Sequence, residues 1–525
     1  MSWRDEFEAG RAAVRSARSR PMPPPRYAPS VEVPSPAVGP SPIKIGHYYD
    51  TKTREVGAPN LYYGERHVLL FGLNGSGKST RILIELMMTS VGRSIVVLDF
   101  KGELAAQTAE ARRRSGNDVK IISPYPVVGL SSDGYNPLAN LDPRNADEFS
   151  DRAALLADAV VEIEGKEPHW SESAQGMLQA GIMWEVIEAD RQGRARSLYR
   201  VRQTLCEPDE FESVTGADGK TRRRQVKGLA FNAARMIAEG GEIIASLVGR
   251  FVREHGQNEL ASIQSTFDTQ TRFLLSPPIA RDLAKGNWSF RQLRERPTTV
   301  YIVLPVAELS RKRRWTRTLI TDALSEHLRP GPVNTLFVLD EFRASVGAMP
   351  IINDVWSLVR GFGITLMPCC QSALQLQKLF NEEWENYAAQ AGMTIMLGPP
   401  GDLFTAKWLS ERCGTTTIMQ MGFNEGAGVN SGHGVNAGTG VSGGAGGESA
   451  NQGLGSNYGR NISDGLSYQQ SERRFLLPQE LMDYAPGTGR IFIPGMGTRS
   501  IPFFAPNYWK RRAPWVAEVR PNPYR

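Results

Sequence analysis

Gly72-Leu73-Asn74-Gly75-Ser76-Gly77-Lys78-Ser79 lies between the apolar run His67-Val68-Leu69-Leu70-Phe71 and the stretch Arg81-Ile82-Leu83-Ile84-Glu85-Leu86-Met87-Met88. The first run reads as a buried strand and the last as a helix, so the octet is a strand-to-helix turn. It fits the P-loop pattern G-x-x-x-x-G-K-[ST]. Glycines let the chain curl until successive N–H groups converge on phosphate oxygens at a helix N-terminus. Lys78 would then reach the β- and γ-phosphates and the Ser79 hydroxyl would ligate Mg²⁺. The alternative is an ordinary glycine turn. The flanking strand and helix favour the phosphate site, which we assign to Gly72, Asn74, Gly75, Ser76, Gly77, Lys78, Ser79 and Thr80, with ATP and Mg²⁺ as the expected ligands.

A P-loop serves kinases, GTPases and motors alike, so a second motif has to choose among them. Asn334-Thr335-Leu336-Phe337-Val338-Leu339-Asp340-Glu341 is a short apolar run ending in two carboxylates. This is the Walker-B arrangement, in which a buried strand delivers Asp340 to the magnesium and Glu341 polarises an attacking water. An acidic pair after a strand is common by itself, and the P-loop gives this one its meaning. Kinases of small molecules do not need a water-activating base there, whereas hydrolysing motors do.

At 525 residues the chain has room for about two or three domains. Its 41% hydrophobic and 22% charged residues are those of a soluble globular protein. A net charge of +6 is compatible with nucleic acid as a partner without requiring it. The four cysteines, Cys206, Cys369, Cys370 and Cys413, follow neither metal nor disulfide spacing, which suits a reducing cytosol. The histidines are scattered and suggest no zinc site. No apolar run approaches the length of a membrane span, and no signal peptide is evident.

Along the chain, residues 1–42 read as a basic, proline-rich arm: a solvated tail, or a dock for a partner or an anionic membrane surface. Residues 43–140 carry the P-loop and a second strand, Ser94 to Asp99, as the first part of an α/β core. Residues 141–288 change to helical spacing, for example Leu155, Leu156, Ala159 and Val160, and read as an inserted all-α domain. Within it Thr221-Arg222-Arg223-Arg224-Gln225-Val226-Lys227 is either a phosphate contact or a solvated loop. Residues 289–510 resume the strand–helix alternation, and 511–525 form a C-terminal tail. Between Gly422 and Gly465 stand 15 glycines among 44 residues, a composition read as a flexible surface loop because it cannot bury enough apolar surface.

With these residues in view, the chain resembles the type IV secretion coupling proteins, the TraG family of conjugative ATPases related to the FtsK/HerA motors. The resemblance runs from about Gly64 to Pro506. It rests on Arg66 to Leu70 leading into the P-loop, Val97-Leu98-Asp99-Phe100-Lys101-Gly102-Glu103-Leu104, and Tyr135-Asn136-Pro137-Leu138. His169-Trp170-Ser171-Glu172-Ser173-Ala174, Leu339-Asp340-Glu341-Phe342, Met349-Pro350 and Arg360-Gly361-Phe362-Gly363-Ile364 follow in order. Gln371-Ser372 and Arg473-Arg474-Phe475-Leu476-Leu477-Pro478-Gln479-Glu480 complete the series.

The resemblance implies a RecA-like P-loop ATPase domain with an inserted all-α domain, assembled as a ring, usually a hexamer. It further implies coupling of a transfer intermediate, commonly single-stranded DNA with its attached relaxase, or a secreted protein, to components of a secretion channel. Arg360 would reach the neighbouring subunit's nucleotide and Gln371 would sense the γ-phosphate. Read from the residues alone, Arg360 is equally an arginine near a helix C-terminus and Gln371 a polar strand-end residue. Two departures stand out: Asn74 and Ser79-Thr80 vary the P-loop, and the transmembrane helices with which the family normally begins are missing. We therefore expect a cytoplasmic protein, either soluble or anchored through a separate polypeptide at the inner face of the membrane, with the basic arm as the place of such docking. Two other readings stay open: a receptor for secreted proteins with ATP as an assembly switch, and a soluble DNA translocase of packaging or segregation.

Overall fold

The computed structural model describes residues 41–163, 168–215, 221–252, 257–286, 288–347, 349–358, 361–437, 452–494 and 500–524. The arm at 1–42 lies almost wholly outside them, and so does Arg360.

Runs of Val, Ile, Leu and Phe bounded by turn residues become the buried centre of one sheet, because strands covered on both faces need no polar alternation. In chain order its strands are β1 (Ile43–Tyr49), β2 (Val56–Tyr62), β3 (Val68–Phe71), β4 (Ser94–Asp99) and β5 (Asp118–Ile122). After an interruption come β8 (Thr298–Val303), β9 (Thr335–Leu339), β10 (Ile364–Cys370), β11 (Met393–Leu397), β14 (Thr488–Phe492) and β15 (Ile501–Phe504). Their spatial order is β2-β1-β15-β14-β11-β3-β10-β9-β4-β8-β5. The strands from β11 to β5 are parallel. The four beyond β11 join antiparallel. Pro59 is tolerated in β2 because that strand is the sheet edge.

The interruption between β5 and β8 holds the helices Ala146–Val160, Pro168–Gln192, Leu198–Leu205, Leu229–Glu239, Glu242–Val248, Gln257–Thr271 and Pro277–Asp282. Leu156, Ala174, Met177, Leu178, Ile182, Ile263 and Phe267 are buried there, as the helical spacing predicts. The expected all-α character needs one correction. Glu210–Thr215 (β6) and Thr221–Lys227 (β7) pair as an antiparallel hairpin, so the arginine-rich run is a strand. Its side chains lie at the surface, where Lys227 and Arg224 pair with Glu210 and Glu212 and Arg223 stacks over Phe211 at 4.6 Å. These cross-strand pairs stabilise a hairpin that helical periodicity cannot reveal.

Two further expectations change. Residues 511–524 are folded onto the α/β core rather than trailing from it. Arg511 Nη1 lies 2.6 Å from the buried Glu85 carboxylate, and Arg520 N donates to Gln107 O on the helix Glu103–Arg114. The glycine-rich segment is not a loop over most of its length. Thr415–Ala437 (β12) and Gln452–Arg474 (β13) pair antiparallel from Thr415↔Arg474 to Ala437↔Gln452, while 438–451 fall outside the described residues. The composition argument weighed only apolar burial, whereas a two-stranded ribbon satisfies its N–H and C=O groups across the strands without a core. Ser410–Leu477 belong to a compact unit separate from Ala28–Leu409 with Pro478–Arg525.

Candidate functional site

In a parallel sheet the loops after the strands share one edge, and ligands bind there, outside the carboxyl ends. Register fixes which loops meet. Phe71 pairs with Cys370, and Gly72 N donates to Cys370 O at 3.0 Å, so the loops after β3 and β10 start side by side. Leu339 pairs with Pro368 on one side and Leu98 on the other. The residues just beyond these pairs, Asp99, Asp340 and Gln371, line up with the P-loop along one edge.

The loop itself needs its glycines. Gly75 and Gly77 adopt φ of 79° and 89°, a left-handed conformation costly for side chains with a Cβ. A Cβ at Gly72 would approach Ser76 Oγ to 2.8 Å. The helix behind the loop opens with a π-type turn, Lys78–Leu83, and continues as Ile84–Thr89. Lys78 is buried and donates its Nζ to Gly72 O at 2.9 Å. The Ser76 hydroxyl is buried with no partner. A buried ammonium folded on its own loop and an orphaned hydroxyl beside it fit a phosphate that neither meets within the protein. Asn74 and Gly75 form the exposed rim of the loop. Thr80 turns elsewhere: its Oγ1 donates to Asn507 Oδ1 at 2.9 Å.

The acidic half is strongly desolvated. Asp340 accepts the Glu341 N–H at 3.0 Å, and burial pushes its carboxyl up to about 6 while the Lys78 ammonium pulls it back. Asp99 Oδ2 accepts Ala105 N at 2.8 Å. Burial pushes Asp99 up to about 7, and the neighbouring Asp340 charge adds to the rise. Two carboxyls held above their usual range suit a bound cation, whose charge would favour both ionised forms. Asp99 is not singled out from the sequence as a site residue, although the same signal, an apolar run ending in an acid, marks both aspartates.

Glu341 has φ 45°, a conformation that costs a non-glycine residue about 1 kcal/mol or more and persists only where its surroundings over-determine it. It caps the single-turn helix Phe342–Ser345. Gln371 Nε2 donates to Glu341 Oε2 at 3.2 Å, and Gln375 Oε1 in turn accepts Gln371 N at 3.1 Å. The structure thus unites Gly72, Ser76, Lys78, Asp340, Glu341 and Gln371 and adds Asp99. It ties the Thr80 hydroxyl to Asn507, and Arg360 is outside the described residues. Among those residues, no helix is long and apolar enough to cross a membrane.

Comparison with known proteins gives concordant results. The family model described as type IV secretory system conjugative DNA transfer matches residues 37–440. A conjugal transfer protein TraG of Escherichia coli is 26% identical over 373 residues, covering 68% of this chain and 56% of that protein. The type IV secretion system-coupling protein VirD4 of Bartonella quintana (strain Toulouse) is 27% identical over 384 residues, covering 70% and 56%. The chain therefore spans a little over half the length of these relatives. Among solved structures, the bacterial conjugative coupling protein TrwBdeltaN70 in its unbound form superposes with a TM-score of 0.57 at 15% identity, covering 84% of each chain. The plasmid coupling protein TrwB in complex with ADP and Mg²⁺ gives 0.56 at 15% identity, covering 90% of this chain and 97% of that one. These likenesses identify the fold as the RecA-like α/β core with a helical domain that the sequence predicts.

Proposed function

The chain belongs to the type IV secretory system conjugative DNA transfer family, and on that premise we propose that it is an ATP-hydrolysing coupling protein. It would recruit DNA, a single strand carrying its relaxase, or a protein substrate, and drive it to the secretion channel. The observation that carries this reading is Glu341, held by Gln371 beside the half-buried Asp340 at the mouth of the P-loop. A site that merely grips nucleotide has no use for a second, oriented acid.

The residues divide the work as follows. The P-loop N–H groups and Lys78 Nζ would hold the β- and γ-phosphates, Lys78 exchanging the Gly72 carbonyl for phosphate oxygens. Ser79 Oγ and Asp340 would hold Mg²⁺, with Asp99 supporting the same charge from the next strand. The Mg²⁺–ATP unit, when bound, supplies the γ-phosphoryl group and the charge that offsets its transfer. Glu341 Oε accepts the proton of the attacking water, and Gln371 keeps that carboxylate aimed. The relatives' names support the transfer role, and the TrwB complex with ADP and Mg²⁺ supports the ligands. The protein would assemble as a homo-oligomeric ring, probed through Arg360 below, on the cytoplasmic side of the membrane.

The decisive experiment measures Mg²⁺-dependent ATP hydrolysis by the purified full chain, with and without single-stranded DNA. Hydrolysis that DNA accelerates is the expected result. Tight nucleotide binding with no turnover under either condition would support the receptor reading instead.

A further inference from the structure

The helix Leu309–His327, which follows β8, carries Arg313, Arg314 and Arg317 on one side. All three guanidinium groups converge on Glu162, two residues past the end of the first helix of the insert. Arg313 Nη2 lies 2.7 Å from Glu162 Oε2, Arg317 Nη1 3.5 Å from the same oxygen, and Arg314 Nε 3.8 Å from Oε1. The backbone of Glu162 is itself clamped by the insert. Its N–H donates to Gln270 Oε1 at 2.6 Å, its carbonyl accepts Gln270 Nε2 at 2.9 Å, and Gln175 Nε2 donates to Val161 O at 2.9 Å. Glu162 is thus one of the points where the helical insert grips the α/β core, alongside Arg152 with Asp322 and Glu326.

Arg317 carries that grip to the site. It is almost wholly buried, and it donates from Nε to Ala159 O and from Nη1 to Val346 O, both at 3.3 Å. Val346 closes the one-turn helix that begins after Glu341: Val346 N and Gly347 N both donate to Phe342 O at 3.1 Å. Ser345, one residue earlier, has its Oγ within 3.2 Å of Asp340 O and 3.1 Å of Glu341 O. A continuous set of polar contacts therefore runs from the insert through Glu162 and Arg317 to the turn that sets the backbone of both site acids.

We propose that Arg317, seated by Glu162, is a positioning residue that fixes the Glu341 turn and makes turnover depend on how the helical insert is docked. The chemistry favours arginine for this task. Its planar fork can bond two backbone carbonyls and a carboxylate at once, whereas a lysine offers one point charge. Glu341 also needs such support, because its left-handed backbone relaxes unless the turn is held. The P-loop receives no contact from this set, so nucleotide grip and acid placement are separable. This inference rests on the ATPase reading proposed above.

The test compares wild type with Arg317→Lys and Glu162→Gln in the full chain, measuring kcat, KM for ATP, and ADP affinity. A misplacement of about 1 Å at a reacting group can cost on the order of 10²-fold. We expect kcat to fall between roughly tenfold and 10²-fold in Arg317→Lys, with a smaller fall in Glu162→Gln. KM and ADP affinity should stay within about twofold of wild type in both, since neither change touches the phosphate site. Amide exchange at Val346 and Gly347 should quicken in step with the loss. Wild-type kcat in both variants, or equal losses of kcat and ADP affinity, would overturn the proposal. A wild-type chain without hydrolysis would defeat the ATPase reading first and this inference with it. Should Arg317→Lys fail to fold, Glu162→Gln, which keeps the side chain's shape, decides the question by the same measurements.

Discussion

The side-chain amide of Gln371 donates to Glu341 Oε2 across 3.2 Å, joining the end of β10 to the end of β9. The two residues come from adjacent parallel strands, so the distance follows from register: Pro368 pairs with Leu339, and each strand then delivers its polar residue to the same edge. The bond restrains the Glu341 carboxylate. In the proposed mechanism a glutamine so placed would keep the acid aimed.

Gln371→Ala should therefore lower kcat by roughly tenfold to 10²-fold with little change in ATP affinity, because it frees the acid without touching the phosphate site. Gln371→Glu should be at least as damaging, since a second carboxylate would repel Glu341. Steady-state kinetics with a parallel binding titration separate the two terms. Loss of affinity without loss of kcat would assign Gln371 to nucleotide binding instead.

Lys78→Ala and Glu341→Gln should fail in different ways. As proposed, Lys78 would hold phosphate in the ground state, so its loss should weaken ATP binding. Glu341 would act on water, so Glu341→Gln should bind ATP as wild type does and stop turnover, a loss of roughly 10²–10⁴-fold for a missing general base. Equal loss of affinity in both variants would contradict these roles.

Both halves of the site were legible because each is a local pattern: strand, glycine turn and helix for the P-loop, strand and acid pair for Asp340 and Glu341. Asp99 shows the same pattern, but its place beside Asp340 depends on β4 and β9 being neighbours, which sequence spacing does not state. The Gln371–Glu341 bond and the Glu162–Arg317–Val346 contacts were illegible for that reason, since they join residues brought together only by topology. The antiparallel flank was missed at β1, β2 and β15 because short strands with Gly, Pro and Asn resemble turns. The β12–β13 ribbon was misread because glycine content argues against a core but not against backbone pairing.

Exchanging residues 422–465 for a short Gly/Ser linker should leave basal hydrolysis and the melting temperature of the α/β core nearly unchanged. The ribbon is held by cross-strand backbone pairs within its own compact unit, and no residue of the site lies in it. Thermal unfolding followed alongside ATPase activity checks this. A large fall in melting temperature would show that the ribbon supports the core.

His67 supplies a pH dependence whose sign is fixed by geometry. Its Nδ1 accepts Leu366 N–H at 3.0 Å, so the ring proton sits on Nε2, which faces Val355 O at 3.3 Å. Burial holds the imidazole neutral and pushes its pKa down to about 4, against roughly 6.5 when unfolded. Between those values the unfolded chain binds a proton that the folded chain refuses, so stability falls as pH drops from about 6.5 towards 4. The loss approaches about 3 kcal/mol below that window. His67→Gln removes this term. Its stability deficit relative to wild type, measured by denaturant titration, should be largest at neutral pH and narrow towards pH 4.5. A deficit that stays constant across this range would mean that His67 does not titrate as proposed.

We expect Arg360 to serve the nucleotide of a neighbouring subunit. Gly361, the next residue, lies before the N-terminal end of β10, whereas Gln371 follows its C-terminal end. At about 3.3 Å per residue the strand alone separates these ends by roughly 20 Å. Acting in trans, an arginine finger would be worth roughly 10³–10⁵ in rate, about 4–7 kcal/mol. Arg360→Ala should then lower turnover without lowering ATP affinity, and wild-type specific activity should rise steeply with protein concentration as rings assemble. Mixing Arg360→Ala subunits with Glu341→Gln subunits should restore part of the activity. Some interfaces in the mixture pair an intact Glu341 site with an intact Arg360 donor, and even a modest gain above either variant alone counts. Concentration-independent activity with no rescue would mean that Arg360 acts within its own subunit or only caps a helix.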